Sequence, residues 1–243
     1  MEKIEPEQVA PLIDRIREAG FDFVPGARMR SLLGAPASLA DWDRFVASWD
    51  DLGLDTYMAD GGRYRKRRHA VFSVSDQGIA LGERQPHYQS RDYNQLNGGI
   101  ERWFDPVLPD VAQGPTMQAI LGFCHGFFGG LMPAPRWHVE VHQFRIEARR
   151  GTHGQPTPEG MHRDGVDYVL VLLVRRHNIR SGETSIHAAD GRLLGSFTLT
   201  EPLDAALVDD HRVMHGVTAV EPDDASMPGA RDVLVVTFRA AAG

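Results

Sequence analysis

The sequence predicts an α+β chain in which helices from the N-terminal half buttress an antiparallel barrel or jelly roll. Three observations predict it. Short strand-like stretches follow one another over the last ~100 residues with no helical pattern between them. Gly, Pro, Asp or Asn punctuates each of these stretches. The helical patterns all lie before residue 132, so they form one unit with the sheet core rather than alternating with its strands.

The helices come first. Residues 5–19 read as a helix, with Pro6 in the first turn, a stripe built from Ile13, Ile16 and either Ile4 or Val9, and Gly20 as the stop. Residues 38–50, "SLADWDRFVASWD", begin with Ser38 as N-cap and Asp41 in the capping-box position. Trp42, Phe45, Val46 and Trp49 then share one side, giving an amphipathic helix over 38–50. A third helix lies within 116–131, "TMQAILGFCHGFFGGL", where glycines leave its end open. The strands follow. "RYRKRRHAVFSVS" is β-rich after a basic start, "RWHVEVHQFRIEA" alternates, and "DYVLVLLVRR" is nearly continuous in apolar residues. "GRLLGSFTLTEPL", "HGVTAVEP" and "RDVLVVTFRA" complete the set. Asp190-Gly191 marks a hairpin turn, which puts His187 at the surface.

Composition bounds the function. A chain of 243 residues buries a sizeable core without covalent staples. Its single cysteine, Cys124, excludes an intramolecular disulfide and reads as a core residue. The first twenty residues are too charged for a signal peptide, and no 18-residue apolar run exists, so the expectation is a soluble cytoplasmic protein without membrane contact. A net charge of −7 argues against nucleic-acid binding, which needs a basic face. No Cys-x-x-Cys pair, nucleophile elbow, P-loop or His-Glu-x-x-His occurs. Nothing in the sequence speaks to oligomeric state.

The chemistry concentrates around "GMHRDGVDYVLVLLV", residues 160–174. His162 and Asp164, two apart at the mouth of a strand, point to one face while Arg163 points away. An imidazole and a carboxylate converging in this way suit a metal, although an isolated His-x-Asp is more often a solvated surface pair. A third ligand is offered downstream in "VDDHRVMHGVTAVEP", by His211 or His215. Two imidazoles and one carboxylate make the facial triad of non-haem Fe(II) oxygenases. His211 follows the turn-forming Asp209-Asp210, whereas His215 leads into an apolar strand with Val217 and Ala219 on its face, which favours His215. Gly216 gives room for a bound cosubstrate. Sixteen residues after His215, Arg231 opens "RDVLVVTFRA". A strand, a turn and an adjacent antiparallel strand would bring it beside His215, where a guanidinium binds a carboxylate in two prongs. Arg239 has the same parity and competes for that role.

Other stretches carry weaker signals. "RYRKRR" holds five cations in six residues, split by alternation over two faces. One face is available to a substrate carboxylate and the other is solvated. His142 and Gln143 lie on opposite faces, and a structural hydrogen bond is the expected use of His142. "YQSRDYNQLNGG", 88–99, reads as a loop bordering the site, with Tyr88, Gln89, Tyr93 and Asn94 as undivided candidates.

Taken together, "PTPEGMHRDGVDYVLVLLVRRHNIRSGET", "LVDDHRVMHGVTAVEP" and "RDVLVVTF" resemble the bacterial 2-oxoglutarate/Fe(II) dioxygenase family that includes L-isoleucine dioxygenase and biofilm/stress-motility proteins. The resemblance extends upstream through "YRKRRHAVFSV", "YQSRDYNQLNGGIERWFDP" and "HVEVHQFRI", roughly residues 55–240. It implies a double-stranded β-helix of cupin-like, jelly-roll type, with 1–243 as one dioxygenase domain: a helical buttress over 1–50 and the core over 55–240. It implies His162, Asp164 and His215 as iron ligands and Arg231 as anchor of the cosubstrate. The implied activity is hydroxylation or sulfoxidation of a small free amino acid, with 2-oxoglutarate decarboxylated to succinate and dioxygen consumed. The alternative is a non-catalytic metal- or metabolite-binding jelly roll in stress or biofilm regulation. A zinc hydrolase using the same triad lies between the two.

Overall fold

The computed structural model describes residues 6–241. Its N-terminal half contains α1 (Pro6–Ala19), β1 (Phe21–Val24), α2 (Gly26–Leu32), α3 (Trp42–Ala47), β2 (Gly53–Leu54), β3 (Arg65–Ser75), β4 (Gly78–Leu81), α4 (Pro109–Ala112) and α5 (Pro115–Leu131). The strands β5 (Trp137–Ala148), β6 (Tyr168–His177), β7 (Ile179–Ser181), β8 (Glu183–His187) and β9 (Leu193–Thr198) follow. Then come β10 (Ala205–Asp209), β11 (Met214–Val217), β12 (Val220–Pro222) and β13 (Gly229–Ala240).

Every strand pairing is antiparallel. The major sheet runs β1-β10-β6-β13-β5-β3-β2, with β4 hydrogen-bonded to β3. Opposite it lie β11-β8-β9 and the pair β12-β7. Val169 and Val208 of the major sheet pack with Ile186 of the minor one. This is the expected jelly roll, a double-stranded β-helix.

The two-residue period of the strands divides the major sheet between two tasks. Val139 and Val141 of β5, Leu170 and Leu172 of β6, and Leu234, Val236 and Phe238 of β13 face the helices and form the main core with Phe45, Trp49, Phe123, Phe127 and Phe128. Phe128 of α5 stacks on Tyr168 with centroids 4.8 Å apart and meets Phe238 at 5.3 Å. Such aromatic pairs contribute roughly 0.5–1.5 kcal/mol each beyond the area they bury. The alternate residues, His138, Glu140 and His142 on β5 and Arg231, Val233 and Val235 on β13, face an internal cavity. The apolar run of β6 is therefore buried on both faces.

The helical expectations hold unevenly. α1 matches over its described residues; Ile4 and Glu5 lie outside them. α5 spans Pro115–Leu131 and continues through all four of its glycines. The single helix expected over 38–50 is instead α3 flanked by short 3-10 turns at Ala37–Leu39 and Ser48–Asp51. Ser38 does not cap it, and its hydroxyl has no partner. Asp41 makes no side-chain cap to its own helix either. Its carboxylate accepts from the Thr116 amide at 2.9 Å and hydroxyl at 2.6 Å, so it secures the start of α5 across the fold.

Candidate active site

The site is built on a backbone pairing. His162 and His215 exchange N–H···O=C hydrogen bonds of 3.0 Å in each direction, an antiparallel bridge outside the named ladders. Residues paired in this way stand opposite one another, so the two imidazoles meet with centroids 4.6 Å apart. Asp164 follows two residues on, but not in a strand: β6 begins only at Tyr168. The reason is Asp210, 1% exposed, whose carboxylate accepts from the amides of Asp164, Gly165 and Val166 at 2.9, 2.7 and 3.1 Å. Amides bound to a side chain are lost to a ladder, and the segment curls around Asp210 instead. Gly165 takes φ +81°, and a Cβ there would stand 2.6 Å from the ring of Tyr93, so only glycine fits.

Asp164 Oδ1 lies 3.6 Å from His162 Nε2, and its Oδ2 lies 3.6 Å from His215 Nε2. The ligand atoms of the three residues fall within 4.8 Å of one another. The Gly160 carbonyl is 3.1 Å from His162 Nδ1, which suits the tautomer that donates there and turns the Nε2 lone pair inward. Both Nε2 atoms and both carboxylate oxygens thus face a common gap, and the donor set fits a divalent metal. Burial, then the charge of His162, pushes the His215 pKa down to about 4, so its ring is neutral as a ligand must be. Burial opposes ionisation of Asp164, but the two imidazoles outweigh it and hold the carboxyl below its usual range. His162 is buried too, yet Asp164 and Glu159 carry its pKa up to about 9, so without a metal the ring holds a second proton, which a bound cation would have to displace to gain the Nε2 lone pair. His211 is excluded from the group. It is exposed and its Nε2 sits 2.7 Å from Asp167 Oδ1 on the surface.

Arg231 lines the same cavity, of about 280 Å³, and is 2% exposed. It does not lie beside His215 as the spacing suggests. β13 pairs with β5 and β6, whereas β11 pairs with β8, so Arg231 and His215 sit in different sheets and meet across the cavity. Its Nε and Nη2 have no partner. Burial and the charge of Arg176 press its pKa down to about 10, so it remains a cation without a counter-charge. Arg239, on the same face, is exposed at the cavity rim. Gly216 does not line the cavity; it faces Gly160 and Met161, which a Cβ there would meet at 3.5 Å, in ordinary contact.

A polar wall faces this centre. Arg65 and Arg67 are buried, 5% and 3% exposed, and Arg65 is bound to Asp55 at 2.8 Å. Arg67 lies 3.8 Å above the Phe104 ring, and its Nη2 donates to His142 Nδ1 at 2.7 Å. Glu140 Oε2 is 2.6 Å from His87 Nδ1 and 2.9 Å from His69 Nε2. Burial disfavours the Glu140 anion, but His138, His69 and His87 overcome that and keep its pKa far below the usual carboxylate range. Burial also pushes His87 down to about 4, against the pull of Glu140. His69, His87, Glu140 and His142 also have ligand atoms within 4.8 Å, but His69 and His87 are bound to Glu140 and His142 is bound by Arg67. The triad keeps its donors apart. Gln89, from the 88–99 loop, donates from Nε2 to the Asp164 carbonyl at 3.1 Å, and Tyr88, Tyr93 and Asn94 line the cavity with it.

Residues 46–237 match the family model described as 2OG-Fe dioxygenase. The chain belongs to the 2OG-Fe dioxygenase family. It is a non-haem dioxygenase that uses Fe(II), 2-oxoglutarate and dioxygen. Among curated relatives, a 3(1)-hydroxy-L-isoleucine 4-dioxygenase of Pantoea ananatis is 26% identical over 230 residues, covering 90% of this chain and 92% of that one. An L-isoleucine-4-hydroxylase of Bacillus thuringiensis is 27% identical over 194 residues, covering 76% and 80%. The crystal structure of a bsmA homologue from Methylobium petroleophilum matches with TM-score 0.87 and 37% identity, covering 96% of this chain and 93% of that chain. Among the described residues of this dioxygenase, no helix is long and apolar enough to cross a membrane.

Sequence reasoning brought His162, Asp164, His215 and Arg231 to one cavity. It passed over Arg102, Glu159, Glu140, His87 and Asp210, all of which the fold places at or directly behind the cavity wall. Arg102 lay in view within "NGGIERWFDP", but a loop carries no periodicity from which its direction can be read.

Proposed function

We propose that this dioxygenase hydroxylates or sulfoxidises a small free amino acid, with His162, Asp164 and His215 holding Fe(II) and Arg231 holding the distal carboxylate of 2-oxoglutarate. When bound, iron supplies the oxidising chemistry that couples decarboxylation of 2-oxoglutarate by dioxygen to insertion of one oxygen atom into the substrate. The chain does the rest. The Gly160 carbonyl orients His162, and Asp210 fixes the turn that carries Asp164. Val171, Ile186, Val233 and Val235 give the cavity apolar walls that exclude water. The observation that carries the reading is Arg231: a fully buried guanidinium with two open nitrogens, in one cavity with two imidazoles and a carboxylate. A dicarboxylate cosubstrate supplies the charge that this cation lacks. The relatives named for isoleucine chemistry support an aliphatic amino acid as the substrate.

Anaerobic addition of Fe(II) and 2-oxoglutarate is expected to produce a weak visible charge-transfer band. In air, succinate release screened over free L-amino acids is expected to respond to small aliphatic or thioether side chains, each giving a product one oxygen heavier. Release driven only by peptides or nucleic acids refutes the substrate class.

A further inference from the structure

Two buried charges in the cavity wall remain open once the metal centre and the 2-oxoglutarate anchor are accounted for. Arg102 is 2% exposed and lines the cavity. Its Nε and Nη2 have no hydrogen-bond partner. The backbone around it is held in place, because Arg102 and His87 exchange N–H···O=C hydrogen bonds of 3.0 Å each way. Of the three carboxylates that act on it, Asp55 and Glu140 are taken, and Glu159 forms no hydrogen bond or ion pair with it. Asp55 binds Arg65 through Oδ2 at 2.8 Å, and Glu140 Oε2 is occupied by His87 and His69. Burial and the charge of Arg65 both act against the Arg102 cation, while Asp55, Glu159 and Glu140 act for it. A buried charge without a partner is costly, and its retention at a cavity wall points to a ligand that completes it.

Glu159 presents the opposite case. Its side chain is 10% exposed and lines the same cavity. Oε1 lies 3.4 Å from Asn94 Nδ2 and 3.6 Å from His162 Nε2. Oε2 is buried and has no partner. Arg231 is a separate receiver, carried by β13. Arg67 also has an open Nε, but its Nη2 is bound to His142 and its Nη1 lies 3.7 Å from Asp55, so the cavity has one wholly unpaired cation for each of two anions.

We propose that Arg102 receives the α-carboxylate of the prime substrate and Glu159 its ammonium group, so that the site selects an unblocked amino-acid zwitterion. This rests on the reading above, that a free amino acid is the substrate. A guanidinium offers two parallel N–H groups to a carboxylate, and a carboxylate oxygen accepts from an ammonium. Sites that bond a substrate group reject analogues lacking it, because their own buried polar atoms are then left open. Amino-acid amides lose the contact to Arg102, and N-acylated amino acids lose the contact to Glu159. Peptides are excluded at whichever end is blocked. The side chain is left to the apolar wall, so the charged end fixes register while the apolar surface reads shape.

The test is calorimetric titration of the anaerobic Fe(II)/2-oxoglutarate enzyme. The probes are L-isoleucine, L-leucine and L-methionine, with their carboxamides and N-acetyl derivatives. The wild type is expected to bind at least one free amino acid ~30-fold or more tighter than its amide and its N-acetyl form. Arg102→Met is expected to weaken that amino acid ~30-fold or more and bring it level with the amide. Arg102→Lys, which keeps charge but loses the fork, should fall between. Glu159→Gln should bring the amino acid level with its N-acetyl form, with iron content measured in parallel because Glu159 neighbours His162. Arg102→Met removes an uncompensated charge, so its melting temperature should not fall. Equal binding of acid and amide by the wild type overturns the proposal, as does wild-type affinity in both Arg102 variants. Binding of none of the three amino acids overturns it too. Loss of iron in Glu159→Gln overturns the ammonium half. Titration of 2-oxoglutarate separates the two readings: no binding by the wild type refutes the dioxygenase site itself, whereas intact binding with unselective amino-acid binding refutes only this inference.

Discussion

Replacing Arg231 with Met tests the proposed cosubstrate anchor. The side chain is 2% exposed, with Nε and Nη2 open, so the contact it makes on binding is charged and desolvated. Truncating one partner of such a contact costs about 2–5 kcal/mol, which is about 30-fold to several-thousandfold in dissociation constant. The same loss appears in thermal stability. At a 2-oxoglutarate concentration about 100 times the wild-type dissociation constant, binding adds about 2.7 kcal/mol. With affinity about 30-fold weaker, the same concentration adds about 0.9 kcal/mol. The difference of about 1.8 kcal/mol removes about 4–7 °C from the ligand-induced rise in Tm for a domain of this size. Without ligand the variant should melt no lower than wild type, because the substitution deletes a buried charge that nothing in the fold compensates. The assay is a melting curve of the anaerobic Fe(II)-loaded protein with and without 2-oxoglutarate. An undiminished ligand-induced shift in Arg231→Met, together with a lost shift in Arg239→Met, refutes the assignment.

Three further outcomes are expected. His215→Ala should lose iron by metal analysis, whereas His211→Ala should retain it and cost at most about 1 kcal/mol, the scale of an exposed ion pair; the reverse pattern moves the metal site. Asp210→Ala frees the three amides that hold the Asp164 turn. It should weaken metal affinity by roughly 10–100-fold without touching a ligand, and unchanged affinity in a metal-competition titration contradicts that support. His87, held down to about 4 against an ordinary 6.5, is neutral in the fold and takes up a proton more readily when unfolded. Stability should therefore fall as pH drops from 6.5 to 4, by about 3 kcal/mol at the foot of that window. Denaturant titrations of His87→Gln should show a shallower fall, and an identical slope shows that another group governs it.

The parts of this fold that repeat were readable in the sequence, and the parts that depend on distant partners were not. Alternation in "RWHVEVHQFRIEA" assigns each residue of β5 to a face, and the structure agrees residue by residue: His142 faces the cavity, while Gln143 reaches Ser48 on the helical side at 2.7 Å. The same logic puts buried Arg65 and Arg67 on one face and Lys66 and Arg68 on the other, but that second face is not solvated throughout: the Arg68 guanidinium is held by Asp51 and the Pro106 carbonyl. The capping box at Ser38 and Asp41 failed because local pattern cannot reveal that Asp41 is claimed by Thr116, seventy-five residues away. The strand expected at His162 failed for a similar reason, since Asp210 withdraws three amides from any ladder. His162 and Asp164 still converge, but through a turn and a two-residue bridge. Arg102 and Glu159 were beyond reach because each is defined by what it lacks, and an unfilled valence is visible only when all neighbours are in place.

The two-faced major sheet has a consequence for how this enzyme changes over generations. Along β5, neighbouring codons serve unrelated purposes: His138, Glu140, His142 and Phe144 shape the reaction chamber, whereas Val139 and Val141 hold the sheet to its helices. The same interleaving holds along β13, where Val233, Val235 and Thr237 alternate with Leu234, Val236 and Phe238. A single-base change in one codon can therefore remodel the chamber while the scaffold beside it stays intact, and the reverse also holds. Novelty and robustness are threaded through the same strands rather than assigned to separate regions. A mutant library restricted to cavity-facing Phe144, Val233, Val235 and Thr237, which leaves Arg231 and the Glu140 network intact, would explore new substrates with little loss of foldable members. One restricted to the intervening positions would mostly sample collapse.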